Sequence, residues 1–233
     1  MDRQSIVALL DDPSRACVAR EAAVRVRPGA VVGLGSGRAV WATMELLARR
    51  DELAGLRVVT ASSETEQLAA SFGFCVEHLD GTLTLDLAID GADEVAPDLG
   101  LLKGHGAALL REKLVAIAAR RFVIVAEASK RVDRLGQQRP LPVEVVRFGC
   151  ADTARRLRAR FGEVTVRTGE DGPLVTDEGN HLLDLAVSGD AAAVATELSC
   201  TVGVIEHGLF LDMADEVLLG AADGTVETLR RHG

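Results

Sequence analysis

Between Asp86 and Lys113 the chain reads DLAIDGADEVAPDLGLLKGHGAALLREK, and four of its side chains suit proton chemistry: Asp90, Asp93, Lys103 and Glu112. Carboxylates gathered with a lysine can exchange protons with a bound ligand, which makes this a candidate acid/base site. The apolar run before Asp90 reads as a strand, and Gly91-Ala92 as a tight turn to Asp93 and Glu94. Lys103-Gly104-His105-Gly106 reads as a second turn, ahead of a helix from about Ala107 to Ala119. The carboxyl end of a strand is where open α/β sheets gather their ligands.

On that helix the neighbours of Glu112 three and four residues away are Ala108, Leu109, Val115 and Ala116. A carboxylate among small and apolar residues is poorly solvated, and burial raises a carboxyl pKa toward the range useful for proton transfer. The competing reading is a solvated trio Arg111-Glu112-Lys113. The helix is apolar over most of its circumference, which favours burial. Taken alone, Asp90 and Asp93 would suit turn formers equally well.

The elements that must position these residues alternate between strand and helix. Ala30 to Leu34 is a short apolar run suited to a buried parallel strand. Gly33-Leu34-Gly35-Ser36-Gly37-Arg38-Ala39 follows, then a helix through Trp41, Met44 and Leu47. Strand, glycine-rich turn and helix together present backbone N–H groups and a helix N-terminus to an anion. The third glycine of a dinucleotide fingerprint is missing, and so is a Walker-type Gly-Lys-Ser/Thr; a tight connection without ligand is the other reading. Leu56 to Thr60 and Phe74 to Val76 are further strands, and between them Ser63 and Glu66 suit either a capping box or a ligand role. Phe122 to Ala126 is another buried strand, with Glu127-Ala128-Ser129-Lys130 at its carboxyl end.

From about Pro140 the texture changes. Leu141 to Val146 reads as an edge strand, because a proline removes a ladder donor. A basic helix (Thr153 to Arg160) and strands near Glu163 to Arg167 and Leu174 to Thr176 follow; Asp177 to Asn180 turns the chain into His181 to Leu185, and a helix (Ala191 to Leu198) and a strand (Val202 to Glu206) complete the segment. This is the β-α-β-β-α-β, ferredoxin-like order. The arginines between Arg155 and Arg160 suit a solvated helix face.

A formal charge of −9 and a pI near 5.1 supply no general field for a polyanion, which argues against a nucleic-acid partner. The 48% hydrophobic content supports a sizeable core, and no run is long enough to span a bilayer. Cys17, Cys75, Cys150 and Cys200 lie far apart without a Cys-x-x-Cys pair, so neither a zinc site nor a disulfide framework is expected and a reduced, cytoplasmic setting fits best. His78, His181 and His207 lack metal-ligand spacing.

Asp90-Gly91-Ala92-Asp93-Glu94 and the block from Lys103 to Lys113 resemble the signature segments of the type A ribose-5-phosphate isomerase family, with His105 in place of the middle of three glycines. The Gly35 to Ala39 loop is similar to the family's Gly-Thr-Gly-Ser-Thr, but Ser36 replaces the first threonine, Arg38 the serine and Ala39 the last threonine. Two hydroxyls are lost and one guanidinium is gained, which either preserves anion binding by another route or alters substrate choice. Glu127 to Lys130 resembles an Asp-x-Ser-Lys element whose lysine contacts substrate; Arg15 is a weaker match to a phosphate-binding lysine.

The resemblance implies a Rossmann-like parallel-sheet main domain, residues 1–137 with 206–233, and a smaller ferredoxin-like α+β domain, residues 138–205. It implies interconversion of D-ribose 5-phosphate and D-ribulose 5-phosphate in the pentose phosphate pathway, by a homodimer or homotetramer without metal or redox cofactor. Glu112, Asp90, Asp93 and Lys103 would be catalytic; Ser36, Gly37, Arg38, Ala39, Gly91, Ala92, Gly104, His105, Gly106 and Lys130 would bind substrate. The alternatives are an isomerase of another phosphosugar and a non-catalytic sugar-phosphate sensor.

Overall fold

Short β-branched and apolar runs build a seven-stranded sheet, and Val31–Leu34 and Arg57–Thr60 each lead through a glycine or capping residue into a helix. In spatial order its strands are Val226–Arg230, Glu216–Gly220, Phe122–Glu127, Leu87–Asp90, Val31–Leu34, Arg57–Thr60 and Cys75–Val76. All neighbours pair in parallel except Val226–Arg230, which closes one edge antiparallel. Val31–Leu34 and Leu87–Asp90 are buried at every position, as strands covered on both faces must be. The computed structural model describes residues 3–187 and 189–231, and among them no helix is long and apolar enough to cross a membrane.

From Val31–Leu34 the chain works outward through Arg57–Thr60 to Cys75–Val76, then returns to the other side with Leu87–Asp90, Phe122–Glu127 and Glu216–Gly220. The reversal of strand order falls between Val31–Leu34 and Leu87–Asp90, and the crevice outside the carboxyl ends of such a pair is where doubly wound sheets bind ligands. Val32, Leu34, Ile89, Val123, Val125 and Leu218 of the sheet pack with Val40, Trp41, Met44 and Leu47 of the Arg38–Ala48 helix. Fully burying one such side chain contributes about 1.5–3 kcal/mol.

The chain divides into two compact units. The first comprises the described residues of Met1–Ala92, Arg111–Lys130 and Met213–Gly233; the second comprises those of Asp93–Leu110 and Arg131–Asp212. This cuts the chain differently from the expected 1–137 with 206–233 and 138–205. Glu94–Val95, Leu101–Leu102 and Leu209–Phe210 form a three-stranded sheet of their own, and the Glu94 carboxylate accepts hydrogen bonds from Gly136, Gln138 and Arg139 N–H at 2.6–2.8 Å. Those contacts draw residues 93–110 and the flanks of the 138–205 segment into the second unit.

The second unit contains a four-stranded antiparallel sheet in the order Val204–His207, Leu141–Val145, His181–Leu185, Val164–Val166, with helices Cys150–Phe161 and Ala191–Ser199. This is the ferredoxin-like arrangement expected. Leu141–Val145 is a central strand and not an edge. Pro142 is tolerated because its carbonyl, and with it the missing N–H, faces Gly208, just past the end of the neighbouring strand at His207. The strand expected over Leu174 to Thr176 is reduced to an isolated bridge between Val175 and His181.

Candidate active site

In the first unit, the end of Leu87–Asp90 meets the glycine loop after Val31–Leu34. Asp90 is 2% exposed, and its Oδ1 accepts hydrogen bonds from Ser36 N–H at 3.2 Å and Gly91 N–H at 2.7 Å. Gly35 is required for this approach: a β-carbon there would fall 1.8 Å from Asp90 Oδ1. The Arg38–Ala48 helix starts immediately after Gly37, with Arg38 exposed in its first turn and Ala39 half-buried. Gly91 and Ala92 are half-buried, and so is Lys130 in the Ala128–Lys130 turn of 3-10 helix after Phe122–Glu127.

A hydroxyl network braces the loop. Ser36 Oγ donates to Ser62 Oγ at 2.8 Å, Thr65 Oγ1 donates to Gly35 O at 3.0 Å, and Trp41 Nε1 donates to Thr65 Oγ1 at 3.1 Å. The capping expected of Ser63 belongs one residue earlier: Ser62 Oγ accepts from Thr65 N–H at 3.1 Å and caps Ser63–Ser71. Arg15, buried, pairs with Glu127 Oε1 at 2.7 Å.

Glu112 sits in the first turn of Leu109–Ala118 and is 4% exposed, so the solvated trio is excluded; its neighbour Lys113 is buried too. The helix is less uniformly covered than its composition implies, since Leu114 and Ile117 are exposed. Ala107, expected inside the helix, adopts φ 62° and precedes it.

In the second unit, Lys103 is 2% exposed, with Nζ 5.4 Å from the centre of the Phe210 ring, a cation–π geometry. Its N–H donates to Gly208 O at 2.8 Å. Gly104 supplies φ 105°, and a β-carbon there would also press on Leu109 at 2.9 Å. His105 is not among the positive-φ residues, so replacing a glycine there leaves the turn intact. His105 N–H donates to Asp93 Oδ2 at 3.1 Å, and its Nε2 lies 3.2 Å from Pro140 O, a contact in which the ring nitrogen carries the hydrogen. Gly106 is exposed.

Two further contacts in the second unit had no local sequence signal. Arg167 reaches the carbonyls of Gly104 and His105. Glu144, buried, accepts from Thr176 Oγ1 at 2.8 Å and Asn180 Nδ2 at 3.0 Å and from the Leu110 N–H, which caps the start of Leu109–Ala118. Burial pushes the Glu144 carboxyl above its ordinary range, opposed by the Asn180 and Thr176 hydrogen bonds. Among the described residues no group of three or more His, Cys, Asp and Glu is arranged to hold a metal ion.

These features define an α/β protein of the Rossmann-like class, with acidic side chains at the carboxyl ends of its sheet and a ferredoxin-like unit in the same chain. The family model for ribose 5-phosphate isomerase A (phosphoriboisomerase A) matches residues 57–224. The ribose-5-phosphate isomerase A of Caulobacter vibrioides is 47% identical over 226 residues, covering 93% of this chain and 97% of the relative. The ribose 5-phosphate isomerase A structure from Methanocaldococcus jannaschii superposes with a TM-score of 0.88 at 35% identity, covering 95% of this chain and 100% of that one. A D-ribose-5-phosphate isomerase in complex with phospho-erythronic acid superposes equally well, with a TM-score of 0.88 at 34% identity, covering 94% and 98%. The chain belongs to the ribose 5-phosphate isomerase A family.

Proposed function

We propose that the chain interconverts D-ribose 5-phosphate and D-ribulose 5-phosphate, with Glu112 carrying the proton between the two reacting carbons. The observation that carries this reading is the burial of three ionisable side chains, Asp90, Lys103 and Glu112, each at most 4% exposed, on segments that match the family. Ionisable groups are almost never so buried without a specific role or partner.

In the forward direction the Glu112 carboxylate removes the C2 proton of the open-chain aldose, and the electron pair moves through C1 onto the carbonyl oxygen to give an enediolate. The C2 hydroxyl gives up its proton, the C1 oxygen gains one, and Glu112 returns its proton to C1, leaving the ketose. Asp90 and Asp93 exchange the hydroxyl protons and assist ring opening. Lys103 and the N–H groups of the Gly104 to Gly106 turn stabilise the developing oxyanion. His105 N–H is already engaged by Asp93, so Gly104 and Gly106 supply the backbone donors.

Ser36, Gly37, Arg38 and Ala39 hold the phosphate at the helix N-terminus, with Lys130 as a further cation and Gly91 and Ala92 lining the sugar. A family member's complex with phospho-erythronic acid, a phosphorylated sugar acid, supports a ligand of this kind. We place the enzyme in the cytoplasm as a homodimer or homotetramer. Its four cysteines are free, and Leu114 and Ile117 offer an apolar stripe for a second copy.

The test is a direct assay of ribose 5-phosphate conversion beside a panel of other aldose phosphates. Preferred turnover of ribose 5-phosphate supports the assignment; preferred turnover of a different sugar reassigns the substrate, and binding without turnover reassigns the chain as a sensor.

A further inference from the structure

The Lys103–Gly106 turn has glycines on both sides of His105, and a glycine-flanked peptide plane rotates with little steric penalty. Its N–H directions must therefore be set from outside. Arg167, just past the Val164–Val166 strand, donates from Nη1 to Gly104 O at 3.0 Å and to His105 O at 3.2 Å. Its Nε donates to Asp184 Oδ2 at 2.9 Å and its Nη2 to Asp184 Oδ1, a bidentate pair with both side chains largely buried. The Arg167 N–H is fixed on Leu182 O at 2.8 Å, and Asp184 lies within the His181–Leu185 strand opposite Thr165. The guanidinium is held at its root and along one edge, and its remaining nitrogen points at the turn.

We infer that Arg167, oriented by Asp184, is a positioning residue that fixes the Lys103–Gly106 turn and aims its Gly106 N–H at the reacting sugar. The described chain contains no cis peptide bond, and in a trans peptide the C=O and N–H point in opposite directions. The peptide joining Gly104 to His105 is clamped at both ends: its carbonyl faces Arg167 and its N–H donates to Asp93 Oδ2 at 3.1 Å. The next peptide has its carbonyl on the same Nη1, which turns the Gly106 N–H away from the guanidinium. Gly104 O also accepts from Ala107 N–H at 3.1 Å, which completes the turn ahead of the helix bearing Glu112. Without the clamp, the His105–Gly106 plane can flip and present the His105 carbonyl where the oxyanion needs the Gly106 N–H.

This inference rests on the isomerase assignment, and the experiment separates the two. Full-length wild type, Arg167→Ala, Arg167→Lys and Asp184→Asn are assayed with ribose 5-phosphate, and each variant's folded fraction is measured by thermal melting. The clamp predicts kcat per folded molecule reduced about 10- to 100-fold, within the effect of losing an oxyanion donor, and KM within about threefold of wild type because phosphate binding lies elsewhere. It also predicts partial recovery of Arg167→Ala by millimolar guanidinium.

Lysine keeps the charge but cannot form the fork, so Arg167→Lys stays impaired and serves as the test if the alanine variant fails to fold. Wild-type kcat in folded Arg167→Lys, or a change confined to KM, overturns the clamp while leaving the assignment standing. A wild type that turns over no sugar phosphate overturns the assignment, and the clamp's role with it.

Discussion

Asp90 occupies the space that a side chain on Gly35 would need: the nearest carboxylate oxygen lies 1.8 Å from where that β-carbon would be. The glycine loop and the end of the Leu87–Asp90 strand are thereby locked as one unit, with Ser36 N–H and Gly91 N–H on the same oxygen. Gly35→Ala must displace Asp90 or the loop. It is expected to destabilise the protein by about 1–3 kcal/mol and to lower kcat/KM by about 100-fold, the scale of a misplacement near 1 Å. Thermal melts and steady-state kinetics on the same preparation check both; unchanged kinetics would free the loop from any role in catalysis.

Arg38 stands exposed in the first turn of the helix that follows this loop, where the helix N-terminus favours an anion. Arg38→Ala is expected to weaken ribose 5-phosphate binding by about three- to tenfold, a modest effect because the guanidinium is solvated, and to leave binding of unphosphorylated ribose unchanged. Calorimetric titration with both sugars makes the comparison. Equal losses would show that Arg38 does not read the phosphate.

Glu216 is buried against Arg25, Arg121 and Arg230, far in sequence from the Asp86–Lys113 stretch. The Arg25 hydrogen bonds, with the charges of Arg25 and Arg121, hold its carboxyl well below the ordinary 4.5, at about 2. A carboxyl whose pKa is depressed by folding adds stability above its unfolded pKa and loses it as pH falls toward its folded pKa. The window is therefore about pH 5 down to 2, and the contribution is about 3 kcal/mol at neutral pH. Melting temperature is expected to fall across that window more steeply in wild type than in Glu216→Gln, with the two curves converging near pH 2. Parallel curves would contradict the linkage.

Much of this arrangement is legible in the order of residues because it is local. Val31 to Arg38 shows a strand, a glycine turn and a helix; Asp90 ends a fully apolar strand; the ferredoxin-like order follows from alternating elements. What escapes is set by partners distant in sequence. Glu94–Val95 and Leu101–Leu102 are too short to show a period, yet their pairing, with Leu209–Phe210, draws residues 93–110 into the second unit. Pro142 signals an edge strand because the sequence does not show that its neighbour ends beside it. The contact of Arg167 with Gly104 spans 63 residues and joins a side chain to a backbone carbonyl, so no pattern of residue types announces it. Burial of Glu112, by contrast, follows from its helical neighbours, although exposed Leu114 and Ile117 show that an apolar helix face need not be covered.

The proton shuttle is tested most directly by following ribose 5-phosphate in deuterium oxide with wild type and Glu112→Gln. Wild type should carry solvent deuterium into the sugar at the reacting carbons as isomerisation proceeds. The glutamine variant should lose isomerisation and deuterium uptake together, by about two to four powers of ten, with sugar-phosphate affinity within a few-fold of wild type. A folded Glu112→Gln enzyme that still isomerises and exchanges near the wild-type rate would contradict the assignment of Glu112.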